Sequence, residues 1–392
     1  MTTAYRDDLL ERVRDRLAMQ TAEPDPAVIA DAIRAESGGL LGDTDLLDVL
    51  RYLQTEMVGA GRLEGLLAEP GITDVLVAGP DHVWADRGDG LEPTGVSFED
   101  ESAVRRLAGR LALGAGRRLD DAQPWVDGQL SGIGRHGYTV RLHAVIPPLA
   151  ADGTCISLRV LRSATQTFDA LVAAGAIPAG IDGLLRDVVA ARLAFVIVGG
   201  TGLGKTTLLN AVLGQADPRE RIITVEDAAE LSPQHPHVVR LVARTANVEG
   251  VGDVPVRTLV RQALRMRPDR IVVGEVRGAE VIDLLVALNT GHDGCGGTLH
   301  ANSTSEVPAR MEALAALGGM GRMALHSQLA AAIQVVIGLG RDAGGDRGIS
   351  EIGVLGRTED GLARIETVWS RRGGFTAAGQ LLDDMIAVRR GS

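Results

Sequence analysis

The stretch Gly199-Gly200-Thr201-Gly202-Leu203-Gly204-Lys205-Thr206, directly after the apolar run Ala194–Val198, constrains the fold more than any other feature. A loop so rich in glycine can curl its backbone N–H groups inward around an anion. The run Thr206-Thr207-Leu208-Leu209 then opens a helix whose N-terminus adds a favourable dipole. Strand, phosphate loop and helix in this order match G-x-x-x-x-G-K-[ST], a building unit of parallel α/β sheets. Lys205 is placed to reach phosphate oxygens, and Thr206 to hold Mg²⁺. Lys205 is also the only lysine in the chain. The scarcity of lysine elsewhere reads as a GC-rich coding bias, but between phosphates a flexible point charge suits better than the planar fork of arginine.

Three further segments carry candidate chemistry. Arg270-Ile271-Val272-Val273-Gly274-Glu275 is an apolar strand that delivers a carboxylate at its C-terminal end, where Glu275 can orient an attacking water. Gly274 stands where a Walker B strand usually ends in Asp. Thr224-Val225-Glu226-Asp227-Ala228-Ala229-Glu230-Leu231 sets three carboxylates after another apolar strand, an arrangement that repels itself unless a cation sits among them. Asn289–Ser303 is Gly-rich and holds His292 and His300, with no Cys or carboxylate partner at a zinc spacing. A histidine aligned on a phosphate end and a structural histidine are both open at this point. So are two readings of Arg257, Arg261 and Arg265, spaced by four on one helix face: phosphate or subunit contacts, or a solvated salt-bridged surface.

The 392 residues suffice for two cored domains. Residues 1–60 read as a helical extension, from Leu9, Leu10, Val13, Leu17 and from Leu46, Leu47, Leu50, Leu53. Residues 61–165 read as mixed α/β, with strands at Ile72–Val77, His82–Ala85, Thr139–Ile146 and Cys155–Leu161, and a helix through Val104, Leu107, Leu111 and Leu113. Gln129–Tyr138 reads as a long turn. Residues 166–185 read as a helical linker, and 186–392 as alternating strands and helices. There the strands are Phe195–Val198, Ile222–Val225 and Ile271–Val273, and the helices Thr206–Leu213, Arg257–Met266 and Ala279–Leu288.

The net charge of −11 argues against a protein built to coat nucleic acid, and no apolar run approaches the roughly 20 residues that span a bilayer. With no signal-peptide pattern and two distant cysteines, a reduced cytoplasm is the expected compartment.

Together, Gly199–Thr206, Thr224–Leu231, Arg270–Glu275 and Asn289–Asn302 resemble the Walker A, Asp box, Walker B and His box of the type II/IV secretion ATPase superfamily. With Ile72–Pro80 and Leu142–Leu149 upstream, the chain looks most similar to the CpaF/TadA branch, the motors of Tad (Flp) pili. The resemblance implies a RecA-like P-loop domain preceded by a PAS-like α/β domain and a short helical extension, assembled as a homohexamer. Nucleotide would bind between the domains. Gly199, Gly200, Thr201, Gly202, Leu203, Gly204, Lys205, Thr206 and Thr207 would hold ATP, and Thr206 and Glu226 would hold Mg²⁺. Glu275 would activate water, with Glu226 near the metal, His300 near the γ-phosphate and His292 as its companion. Arg141 and Arg159 would present guanidinium groups to the γ-phosphate. Implied partners are a polytopic inner-membrane platform protein and other copies of the chain, at the inner face of the cytoplasmic membrane. Nucleic acid is not expected, and the four-cysteine zinc element of some relatives cannot form from two cysteines. The alternatives are a RecA-like nucleic-acid motor, disfavoured by 3% aromatic content, and a nucleotide-dependent scaffold.

Overall fold

The computed structural model describes residues 59–391 apart from 89, 134–137, 162–165, 247–249, 290, 292, 295 and 343; upstream it describes 26–38 and positions 9, 12, 13, 16, 42 and 49. The chain divides into two compact units, Met1–Arg162 and Ser163–Ser392. Leu9, Val13 and helix α1 (Pro26–Glu36) belong to the first, with Ile29 and Ile33 buried. Leu10, Leu17 and the series from Leu46 to Leu53 lie outside the described residues.

The rest of the first unit is an antiparallel sheet backed by a helix. After the short α2 (Glu64–Leu67) come β1 (Asp74–Ala78), β2 (Val83–Asp86), β3 (Leu91–Pro93), α3 (Glu101–Gly114), β4 (Trp125–Ile133), β5 (Tyr138–Val145) and β6 (Cys155–Leu161), in sheet order β3-β2-β1-β6-β5-β4. Strand alternation sends Val75, Val77, Val140, Leu142, Ile156 and Leu158 to one face, where they join Val104, Leu107 and Leu111 of α3 in a single core. Helix α3 starts where Asp100 accepts the Ala103 N–H at 2.8 Å. The turn expected over Gln129–Tyr138 is shorter than that, because Gln129–Ile133 belongs to β4 and Tyr138 opens β5. Gly128 and Gly132 mask the strand pattern, and the register shifts between Leu130 and Ile133.

The second unit is a nine-stranded sheet covered on both faces. Its strands are β7 (Phe195–Val198), β8 (Ile222–Glu226), β9 (Val238–Val242), β10 (Arg270–Val276), β11 (Gly296–Leu299), β12 (Val335–Arg341), β13 (Arg347–Arg357), β14 (Ala363–Ser370) and β15 (Gly374–Phe375). Six run parallel in the order β12-β7-β11-β10-β8-β9, and β13, β14 and β15 extend the β12 edge antiparallel. Phe195 and Ile197 pack on one side of β7 and Val196 and Val198 on the other, which is why this strand reads as an unbroken apolar run. One face carries α4 (Phe168–Ala173), α5 (Ile181–Ala190), α6 (Lys205–Leu213) and α11 (Gly379–Gly391). The other carries α7 (Val256–Ala263), α8 (Glu280–Leu288), α9 (Val307–Leu317) and α10 (Arg322–Ala332). The stretch read as a linker thus supplies Phe168, Leu171, Ile181 and Leu185 to this unit's core. Strand β11 is squeezed between its neighbours: a Cβ on Gly297 would lie 2.6 Å from the Val273 carbonyl oxygen.

Two polar braces tie these layers. Arg257 and Arg261 of α7 both reach Asp283 of α8, at 2.5 and 2.7 Å, and Arg265 donates to the Arg261 carbonyl at 3.0 Å. The arginine stripe therefore joins two helices. Arg270, 1% exposed at the start of β10, pairs with Glu220 and donates to the carbonyls of Gly294 at 3.1 Å and Val189 at 2.8 Å. Replacing it by alanine leaves two carbonyls without this donor and Glu220 with the longer contact to Arg192, at 3.6 Å. Arg270→Ala is expected to cost about 3–5 kcal/mol, read as a lower denaturant midpoint at unchanged slope.

Candidate active site

Parallel pairing brings the C-terminal ends of β7, β11, β10 and β8 to one edge of the sheet, and each end leads into a residue singled out above. After β7 the loop turns through Gly199, Gly202 and Gly204, with φ of +153°, +73° and +89°. L-residues with a Cβ rarely adopt such values, so the glycines are what let the loop curl. Gly204 caps α6, and Lys205 begins it. The Lys205 ammonium is buried and folds back onto its own loop, donating to the carbonyls of Gly199 at 2.9 Å and Gly200 at 3.0 Å. Burial pushes it below the ordinary lysine range, opposed by nearby Glu275 and Glu230 and reinforced by Arg277.

Glu275 lies at the end of β10, with Oε2 hydrogen-bonded and Oε1 facing a histidine. His300 Nε2 sits 2.7 Å from Oε1, too poorly aligned for a hydrogen bond, and Arg277 donates to Oε2. His300 is held below the usual histidine range by burial and by Lys205, with Glu275 pulling the other way, so its imidazole is neutral at neutral pH. The backbone N–H groups of Arg277 and Gly278 donate to Glu280 Oε1 at 2.6 and 2.7 Å, pinning the turn into α8.

Glu226, at the end of β8, is 4% exposed. Its Oε1 accepts the N–H groups of Glu230 at 3.1 Å and Leu231 at 2.8 Å, while Oε2 is buried without a hydrogen-bond partner among the described residues. Its side chain packs over Gly274, where a Cβ would come within 2.8 Å of Glu226 Cγ. Glycine at this place is therefore a steric requirement of the neighbouring strand. Thr298 of β11 closes the layer by donating its hydroxyl to the Gly274 carbonyl at 2.7 Å. Glu230, not Glu226, meets the Thr206 hydroxyl, with Oε2 at 3.4 Å from Oγ1.

These groups fit a magnesium nucleotide. Mg²⁺ takes hard oxygen ligands, typically one or two from protein and the rest from phosphate and water. Thr206 Oγ1 and Glu230 Oε2 adjoin the loop, and Glu226 keeps an orphaned carboxylate oxygen. Among the described residues no cluster of three or more His, Cys, Asp or Glu could hold a metal by itself.

The other predicted residues belong to other segments of the chain. His292 lies outside the described residues; Gly296, shortly after it, opens β11 at the end of the strand opposite to His300. In the first unit Arg141 and Arg159 are direct cross-strand neighbours on the face away from α3. Arg141 is bidentate on Asp127 at 2.8 and 3.3 Å, and Arg159 donates to Asp74 at 2.9 Å. Reading by motif passed over Arg277 and left Glu230 as one of three acids. The signal available was position, two residues past Glu275 and four past Glu226.

Burial pushes the Glu226 carboxyl up to about 7 from 4.5, against the two N–H donors. Because the folded value is the higher one, Glu226 favours the folded state most below about pH 4.5 and loses that contribution as pH rises through about 7. Unfolding of the nucleotide-free protein across this range is expected to show it. The difference between wild type and Glu226→Gln should shift in the glutamine variant's favour by up to about 3 kcal/mol at pH ~8.

The family described as Type II/IV secretion system protein matches residues 56–344. A putative conjugal transfer protein of Mycobacterium tuberculosis (strain CDC 1551 / Oshkosh) is 64% identical over 350 residues, covering 89% of this chain and 99% of that protein. The probable conjugal transfer protein TrbB of Sinorhizobium fredii is 30% identical over 305 residues, covering 77% and 88%. The crystal structure of the pilus retraction motor PilT with bound ADP shares the fold at TM-score 0.52 and 20% identity, over 84% of this chain and 88% of that one. The phosphate loop, the paired acids and the His300 contact thus lie within a chain that belongs to the Type II/IV secretion system protein family.

Proposed function

We propose that this protein hydrolyses ATP as a homohexameric motor at the inner face of the cytoplasmic membrane, driving a pilus or secretion machine through a polytopic platform protein. The observation that carries the reading is the convergence of Lys205, Thr206, Glu230, Glu226, Glu275 and His300 at one sheet edge. The family and the ADP-bound PilT of the same fold support it.

The loop N–H groups and Lys205 would take the phosphates, with Lys205 exchanging the carbonyls of Gly199 and Gly200 for phosphate oxygens. Thr206, with Glu230 and Glu226 behind it, would hold Mg²⁺, which neutralises phosphate charge when bound. Glu275 would accept the proton of the attacking water, with neutral His300 beside Oε1. Arg141 and Arg159 would add positive charge at the γ-phosphate on leaving Asp127 and Asp74, both exposed ion pairs that are easily broken.

Within the family we place the chain in the Tad-pilus branch on its four motifs and the upstream segments Ile72–Pro80 and Leu142–Leu149. The relatives named for conjugal transfer favour a second reading, a motor for a conjugation-type secretion channel. Among the described residues no helix is long and apolar enough to cross a membrane.

Steady-state ATPase activity is expected to rise with protein concentration as hexamers form. Glu275→Gln should lose on the order of 100-fold or more in kcat, and Arg141→Ala should fall sharply with assembly unchanged. A fully active monomer indifferent to both changes would sink the motor reading. In cells, a Glu275→Gln strain that lacks surface pili supports the Tad reading. One that keeps its pili but no longer transfers DNA supports the other.

A further inference from the structure

Two cations at the rim of this site are held by oxygens of the protein itself. Lys205 sits on the carbonyls of Gly199 and Gly200, and Arg277 on Oε2 of Glu275. Release of such a lysine to phosphate is the ordinary behaviour of a phosphate loop. The arginine is built for the same exchange. Its backbone is anchored, because its N–H and that of Gly278 are tied to Glu280 Oε1, while its side chain is 51% exposed. It is close enough to Lys205 and His300 to disfavour the charged form of each, so three basic groups face one space with Glu275 and Glu230 as nearby acids. An ion pair this exposed contributes little stability and is readily traded for a stronger anion. A terminal phosphate, which a guanidinium can bind through two charge-assisted hydrogen bonds, is such an anion.

We propose that Arg277 is a two-position latch: it holds Glu275 when no nucleotide is bound and moves to the terminal phosphate of a nucleoside triphosphate, freeing Oε2. The proposal rests on the ATP-hydrolysis reading and adds a regulatory step to it. Arg277 holds Oε2 of the carboxylate, while Oε1 faces His300 without a hydrogen bond. Pairing with the guanidinium makes the carboxylate a weaker proton acceptor until Arg277 leaves. Only a ligand carrying the terminal phosphate draws the arginine away, so the base is armed by the substrate and left latched by the diphosphate. Arg277 acts here as a positioning residue for Glu275 and as the discriminator of triphosphate from diphosphate.

The test is equilibrium binding of a fluorescent non-hydrolysable ATP analogue and of ADP, each with magnesium chloride, to the full chain. Wild type is compared with Arg277→Gln, Arg277→Lys and Lys205→Ala, alongside kcat and KM for ATP. Arg277→Gln is expected to weaken the ATP analogue about 10- to 100-fold while leaving ADP affinity unchanged, and to lower kcat and raise KM. Arg277→Lys, which keeps the charge but loses the fork, should recover part of the preference. Lys205→Ala should weaken both nucleotides. If Arg277→Gln lowers kcat yet weakens neither nucleotide, or weakens both equally, Arg277 is a fixed brace and the latch is wrong while the site stands. If wild type binds neither nucleotide and Lys205→Ala changes nothing, the phosphate site itself is wrong and the latch falls with it.

Discussion

Every group in the site owes its position to parallel pairing of β7, β11, β10 and β8. Parallel strands share a direction, so the residues that follow each strand emerge at the same edge although far apart in sequence. Lys205, Glu226, Glu275 and His300 span nearly a hundred residues and come together because four short strands run the same way. The apolar alternation within the strands sets the register and the helices on both faces hold it, so site geometry depends on core packing before any polar contact forms. Arg270 works at the far end of the same strand from Glu275, tying β10 to the loop before β11 and to the end of α5.

At the functional edge the structure sets stability against chemistry. Glu226 is buried with one carboxylate oxygen unpartnered, and Gly274 gives up a side chain to make room for it. An apolar core residue there would pack better. Retaining a carboxyl that resists ionisation is a cost to packing that the proposed metal role would explain. Lys205 and Arg277 show the converse arrangement, cations satisfied for the moment by internal oxygens.

Legibility followed local chemistry. The phosphate loop, β6, β7 and the core of α3 could be read directly, since strand period, glycine content and helix period each act over a few residues. The strand β4 was hidden by Gly128 and Gly132, which break alternation where the backbone approaches α3 closely or turns. The antiparallel β13 and β14, and the packing of Leu382 and Ile386, were not legible, because long-range pairing leaves little local trace. In the site, the acids of the Thr224–Leu231 segment could be named but not told apart: only the turn after β8 shows that Glu226 folds inward while Glu230 reaches Thr206. The ion pair from Arg277 to Glu275 joins residues i and i+2 at the end of β10, a spacing that strand periodicity puts on one face but that lies just past the motif ending at Glu275.

The single lysine has a practical consequence. Its amine is buried and bonded to two carbonyls at the mouth of the phosphate loop, and no other lysine competes for an amine-directed reagent. Acylation of lysine therefore becomes a stoichiometric footprint of one position, and a lysine-specific protease has one peptide bond to find, between Lys205 and Thr206. The composition that makes this chain look monotonous in its basic residues turns its phosphate loop into a uniquely addressable chemical handle.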